Sequence, residues 1–425
     1  MKIEVKDVSP VRKEMAIEAA ADEVAREKEE LLRHYGRKAK IPGFRQGKAP
    51  LSVIRARFGR EVDEDLKERL VARMYTEAIR DKGFSPLGDP ALKDVTLEEG
   101  QPFRFETSFE VVPEFTPKAY RDVEVRRPAV EVTDQDVKSA LDDLQQAHTR
   151  FVTEEGKVAA TGDVVVADVE GTPEGGETFT RERIVMEVGA PNSLPEFNEN
   201  LEGATADAVL EFTVQYPEGY DAKELAGKPV EYRLKVHEIK RREVPELDDE
   251  FAKDLGEFGS LDELRERIRE DLLERKKAES DSAIRQSVID KVLLENPIPL
   301  PDVLVEGETR HRLEDMVRMM VQQGVDPRSE EVDWKALRER HEEPARKSVH
   351  ARLVLDAVAR DEGIEVGDDL IAERLRKEAE RIGETEQKLR AQLEKHDGLE
   401  AFKIQVVREK SLDFLVSVAN IQGEE

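Results

Sequence analysis

Gly43-Phe44-Arg45-Gln46-Gly47-Lys48-Ala49-Pro50 is the stretch from which the rest of the chain can be read. Pro42 and Pro50 bracket it, and Gly43 and Gly47 admit positive φ, so it reads as a loop. The segment before it, Ala20 to Lys40, is rich in helix formers and has no glycine until Gly36. A helical pattern resumes at Leu51. The loop is therefore the tip between two helices, with Phe44, Arg45 and Lys48 projecting outward. From Leu31 to Arg60 there is no Asp or Glu and there are nine Lys and Arg, in a chain whose net charge is -28. So sharp a local reversal of sign marks a surface that meets something anionic. A phenyl ring set between glycines and cations either belongs to a tight turn or anchors a partner. The cost of leaving it in water favours the anchor.

A chain of 425 residues has room for two to four domains. Charged residues make up 39% of it, above an ordinary globular protein, and aromatics only 5%, which favours long solvated helices. The absence of cysteine excludes a disulfide scaffold, a thiol nucleophile and a thiolate metal site. No run approaches the roughly 18 apolar residues that span a bilayer. The alternating amino end, Met1 to Val8, has no apolar signal core. A cytoplasmic protein without membrane contact is expected. No two of the seven histidines stand four apart with a Glu between them, so no metal is expected. Lys48 is not followed by Ser or Thr, so the loop is not a phosphate-binding loop for ATP, and no cofactor is expected.

Taken in order, residues 1–112 read as α+β. Strands are predicted over Lys2 to Val8, Arg12 to Glu18, Ala91 to Leu97 and Phe103 to Val111. Helices are predicted over Ala20 to Lys40, Leu51 to Phe58 and Glu61 to Lys82, the last closed by Gly83. Residues 113–149, punctuated by Pro113, Pro117 and Pro128, read as a linker with a short strand at Val123 and a helix capped by Thr133 and Asp136. Residues 150–243 have an antiparallel β texture, with strands over Asp163 to Glu170, Arg183 to Val188, Ala208 to Gln215 and Pro229 to Lys240. A short helix interrupts them at Leu194 to Leu201. Residues 244–425 are almost wholly helical and predict an extended all-α bundle with protruding arms. That bundle is broken at Asn296-Pro-Ile-Pro-Leu-Pro and ends in a helix over Gly398 to Ile421. Within it Met316, Met319 and Met320 share one helix face. They are either a pliant patch for client polypeptides or part of a helix–helix core. Trp334 reads as a packing anchor.

The set Gly43, Phe44, Arg45, Gly47, Lys48 and Pro50 resembles the ribosome-docking signature of the bacterial trigger factor family, with Gln46 at its free position. Domain order and length extend the resemblance over nearly the whole chain. The resemblance implies an ATP-independent chaperone on the large ribosomal subunit beside the peptide exit. Arg45 would meet an acid of a ribosomal protein, Lys48 an rRNA phosphate, and Phe44 a cleft. Nascent and unfolded polypeptides would be its clients, with a homodimer as an option off the ribosome.

Residues 150–243 resemble FKBP-type prolyl isomerases. The resemblance carries an apolar pocket onto Phe179, Ile184, Leu194, Phe197, Tyr220 and Tyr232. Three positions depart from the family pattern. Val169 stands where an aromatic is usual, Thr180 where an acid is usual, and Ile184 where a Phe is usual. The implied pocket is apolar but shallower and less polarised. Prolyl isomerisation needs no nucleophile and no metal. Its barrier of about 18–20 kcal/mol reflects amide resonance, and a twisted amide has less charge separation, so apolar walls favour it over water. For Phe197, Tyr220 or Tyr232 taken singly, core packing is the default; the resemblance carries the set. Two other classes stay open: an isomerase using the helices only as a scaffold, and an RNA-binding protein using the basic island. The second would want several stacking aromatics there, and only Tyr35, Phe44 and Phe58 lie in the window.

Overall fold

Alternating side chains at the amino end make β1 (Lys2–Ser9) and β2 (Arg12–Ala19), an antiparallel pair. α1 (Ala21–Lys38) and α2 (Leu51–Lys82) follow, then β3 (Pro86–Thr96) and β4 (Phe103–Val111). The sheet order is β1-β2-β4-β3. Met15 and Ile17 of β2 and Phe103, Phe105 and Phe109 of β4 point to one face by strand alternation, where α1 and α2 cover them. The break expected near Gly59 does not occur, and α2 runs through it. Ile54, Val62, Leu66, Leu70, Met74 and Ala78 are all buried at multiples of four residues. Burying that stripe outweighs the roughly 1 kcal/mol that a glycine costs a helix. α2 stops at Gly83, whose φ of 68° is the left-handed conformation glycine adopts without strain.

Beyond β4 the chain forms β5 (Glu124–Arg126) and then α3 (Asp134–Ala147). The capping box at α3 is present: the Thr133 hydroxyl accepts from the Asp136 backbone, and the Asp136 carboxylate accepts from the Thr133 backbone. β6 (Arg150–Thr153), β7 (Val164–Pro173), β8 (Phe179–Glu187), α4 (Pro195–Leu201), β9 (Val209–Gln215) and β10 (Pro229–Glu243) make a five-stranded antiparallel sheet. β10 is its spine. It pairs with β7 along one edge, and β9 and β6 share the other. β6 was not expected from the sequence, being four exposed residues whose strand form is set by pairing with β10. α5 (Asp249–Leu255) and α6 (Leu261–Glu295) follow. Val137 and Leu141 of α3, Phe251 of α5 and Leu264 and Ile268 of α6 close a small core.

The remaining elements are α7 (Asp302–Gln322), α8 (Trp334–Asp361), α9 (Asp368–Arg381), α10 (Glu386–Lys395), α11 (Leu399–Ser417) and β11 (Asn420–Gln422). The final helix is shorter than predicted. Asn420–Gln422 leaves it to pair in parallel with β5. In this computed structural model the described residues are all but 155, 191–192, 219–224, 257, 330–331, 396–397 and 424–425. The chain divides into two compact units: Met1–Pro128 with Asp281–Glu424, and Ala129–Ser280.

The proline-punctuated segment after β4 is held fast within its unit. Asn296, buried, accepts the Lys118 N–H at 2.7 Å and donates to the Lys118 carbonyl at 2.8 Å. Tyr120 packs with Ile284, Val288 and Val358, and its hydroxyl lies 2.6 Å from both Asp361 and Glu362. Those hydrogen bonds raise its phenol pKa well above the usual range. In the same unit the Val303 N–H at the start of α7 donates to Glu110 of β4 at 2.9 Å.

Candidate functional sites: an exposed loop, an aromatic pocket and a methionine face

The loop between α1 and α2 is built from two tight turns. The Phe44 N–H donates to the Ile41 carbonyl at 3.1 Å, and the Lys48 N–H to the Arg45 carbonyl at 2.9 Å. In each turn the third residue is a glycine at positive φ, Gly43 at 87° and Gly47 at 77°. That is the type II pattern, and Pro42 sits where proline pre-sets its first central residue. The two glycines are thus required by the backbone. Ile41 is buried and Ala49 packs on the same core, so both ends of the loop are anchored. Gly43, Arg45, Gln46, Gly47, Lys48 and Pro50 are exposed, and the Phe44 ring is 44% exposed. The Gln46 amide donates to the Lys38 carbonyl at 3.4 Å, laying the loop against the end of α1.

The charges of this region are largely unmet. Arg33, Arg55 and Arg60 pair with Glu29, Glu99 and Glu64. Among the described residues the other six cations between Leu31 and Arg60, Arg45 and Lys48 included, have no carboxylate within 4.0 Å. The tip therefore presents a hydrophobic ring and free positive charge, a combination suited to a partner with an apolar cleft and anionic surroundings.

In the five-stranded sheet, Phe179, Phe197 and Tyr232 come together. Phe197 meets Tyr232 edge-on at 4.9 Å between centroids, and Phe179 meets Tyr232 at 6.2 Å. Two aromatics that sequence reasoning missed complete the group. Phe212 lies 5.1 Å from Phe197 and 6.0 Å from Tyr232, and the Tyr216 hydroxyl lies 2.7 Å from the Tyr232 hydroxyl. The signal that could have found Phe212 is register, since it sits opposite Tyr232 across β9 and β10. Ile184 and Leu194 are half-buried and pack on the same core, as are Phe179, Phe197 and Phe212. Each of these five shows part of its apolar surface outward, while Tyr232 is buried beneath them. Tyr220 lies outside the described residues. Of the departing positions, Val169 is buried opposite Leu234, and Thr180 is exposed. In the same sheet a bulge in the β7–β8 ladder leaves Asp168 without a β8 partner, while Lys235 of β10 lies opposite it on the other side. The Asp168 carboxylate accepts the Arg183 N–H at 2.8 Å and contacts His237 at 2.7 Å. Those contacts, the Arg183 N–H first, hold its pKa below the usual carboxylate value.

On α7, Met316 and Met320 are half-buried and Met319 is 55% exposed. None belongs to a core cluster; the α7–α8 core lies near the other end of α7, at Val305, Val349 and Leu353. Trp334, expected as a packing anchor, is 37% exposed and outside every cluster. Among the described residues there is no group of three His, Cys, Asp or Glu that could hold a metal, and no helix long and apolar enough to cross a membrane.

The chain is similar to known proteins over nearly its whole length. Residues 1–144 match the family model described as bacterial trigger factor protein (TF), and residues 260–417 match the model of its C-terminus. Residues 156–237 match the FKBP-type peptidyl-prolyl cis-trans isomerase model. The chain is 32% identical over 412 residues to the trigger factor of Solibacter usitatus, covering 96% of this chain and 97% of that one. It is 35% identical over 430 residues to the trigger factor of an Anaeromyxobacter strain, covering 99% and 100%. Among solved structures it is similar in fold to one described under "Promiscuous Substrate Recognition in Folding and Assembly Activities of the Trigger Factor Chaperone". The TM-score is 0.50 at 23% identity, over 97% of this chain and 99% of that chain.

Proposed function

The chain belongs to the bacterial trigger factor family, ribosome-associated chaperones that carry an FKBP-type prolyl isomerase domain, and from that premise we propose how its residues divide the work. Residues 1–112 dock on the large ribosomal subunit beside the peptide exit, and 150–243 isomerise prolyl bonds. Residues 244–425 hold nascent and unfolded polypeptides without ATP, and 113–149 connect the parts. The protein works in the cytoplasm, with a homodimer as its form away from the ribosome.

The observation that carries the docking assignment is the Phe44 ring, exposed between two glycine-dependent turns and flanked by Arg45 and Lys48, which among the described residues have no carboxylate within 4.0 Å. Phe44 enters an apolar cleft, Arg45 meets a carboxylate of a ribosomal protein, and Lys48 reaches an rRNA phosphate. Isomerisation is assigned to the half-buried faces of Phe179, Ile184, Leu194 and Phe197 over Tyr232, with Tyr220. These walls exclude water from the prolyl amide and so favour its twisted, less polar form over the planar one. Met316, Met319 and Met320 supply an adaptable apolar surface for clients.

Two assays on the full chain test this. It should pellet with ribosomes, and it should accelerate refolding of a proline-limited substrate without ATP. A chain that does neither contradicts the assignment.

A further inference from the structure

A second charged surface adjoins the loop. α1 and α2 cross closely at Gly36, where a Cβ would lie 3.4 Å from Ile54. Away from that crossing they leave a cleft of about 850 Å³ whose lining includes Arg33, His34, Arg37, Arg69, Ala72 and Arg73. The cations in it are not equivalent. Arg73 is tied to Glu23 at 2.9 Å, Glu27 at 2.5 Å and Glu77 at 3.6 Å. Arg33 is tied to Glu29 at 2.7 Å. Arg37 and Arg69 are exposed, and among the described residues no carboxylate comes within 4.0 Å of either. Glu30, also in the lining, lies one turn before His34 and offsets part of the charge.

The cleft is continuous with the loop. Gly47 rests on the last turn of α1, where a Cβ would stand 4.0 Å from the Arg37 Cα, and Gln46 bonds the Lys38 carbonyl. Whatever the loop docks against therefore faces Arg37 too. The cleft offers no exposed large apolar side chain, since Leu31 is buried and Ala72 is small. A protein partner would find no hydrophobic anchor there. Guanidinium groups free of internal acids are instead matched to phosphate, which they bind through paired N–H donors.

We propose that this cleft is a second ribosome contact, in which Arg37 and Arg69 hold the phosphate backbone of ribosomal RNA. The inference rests on the docking assignment and adds its own partner and residues.

The test is ribosome binding by the full chain over a series of salt concentrations, comparing wild type with R37Q/R69Q. Both side chains are exposed, so the variant keeps its fold. Two lost phosphate contacts should lower the log–log salt slope by roughly 1–2 and weaken binding at low salt. A slope and affinity equal to wild type overturn the inference while leaving the loop assignment intact. If the wild-type chain does not bind ribosomes at all, the docking assignment fails and this inference fails with it. A photoreactive side chain in place of Ala72 supplies the second reading. Crosslinks to ribosomal RNA are expected, and crosslinks to ribosomal protein alone overturn the proposal.

Discussion

The ring of Phe179 lies against the backbone of Gly171, so close that a Cβ on Gly171 would stand 2.4 Å from its Cζ. The two residues are also cross-strand partners, and on its other side Gly171 pairs with Tyr232. A side chain at this one position would lift Phe179 off the sheet and away from Tyr232. We predict that Gly171→Ala lowers prolyl isomerase turnover several-fold and costs about 1–3 kcal/mol of stability in its unit, as overpacking does. Refolding kinetics of a proline-limited substrate and a thermal melt check it. Ribosome binding should be unchanged.

Asp136 titrates far from its usual value. The Lys276 ammonium at 2.8 Å, then the Thr133 backbone and hydroxyl, lower its pKa from 3.8 to about 2. A carboxylate whose folded pKa is depressed stabilises the fold above its unfolded pKa and loses that contribution as pH falls through the folded one. Asp136→Asn should therefore melt below wild type from pH 7 down to about 5. The gap should close between about pH 4 and pH 2, where the wild-type carboxyl also becomes neutral. A gap that persists unchanged at pH 2 would rule out the carboxylate as its cause.

The methionine face makes a different prediction. Met316, Met319 and Met320 lie outside the α7–α8 core, so replacing all three by Ser should cost far less than a core truncation, about 0.5 kcal/mol at exposed Met319 and roughly 1 kcal/mol at each of the half-buried Met316 and Met320. Suppression of aggregation of an unfolded, proline-free client should fall markedly. Equal suppression by the variant would remove these residues from client binding.

What was readable in the sequence was local. The Pro42-Gly43 and Gly47 turns, the Thr133–Asp136 cap and the Gly83 stop are each decided within a few residues. What was missed depends on distant pairing. β6 exists because Arg241 and Arg242 of β10 lie opposite it, and Asn420–Gln422 is a strand because Glu124–Arg126 lies beside it. Gly59 misled because its local cost is smaller than the burial of a stripe running from Ile54 to Ala78. Phe212 and Tyr216 were missed because alternation gives the face of a strand but not which rings meet across it. Trp334 misled in the opposite sense, since a large apolar side chain at a helix start needs a neighbouring element to bury it, and Trp334 stays 37% exposed at the start of α8.

The most direct measurement is the affinity of the full chain for purified ribosomes, wild type against Phe44→Ala/Arg45→Ala/Lys48→Ala. All three side chains are exposed and the turn glycines are untouched, so the fold should melt as wild type does. An anchor ring with two charge contacts is worth about 2 kcal/mol or more, which is a loss of roughly thirtyfold or greater in Kd. Binding as tight as that of the wild-type chain would contradict the account.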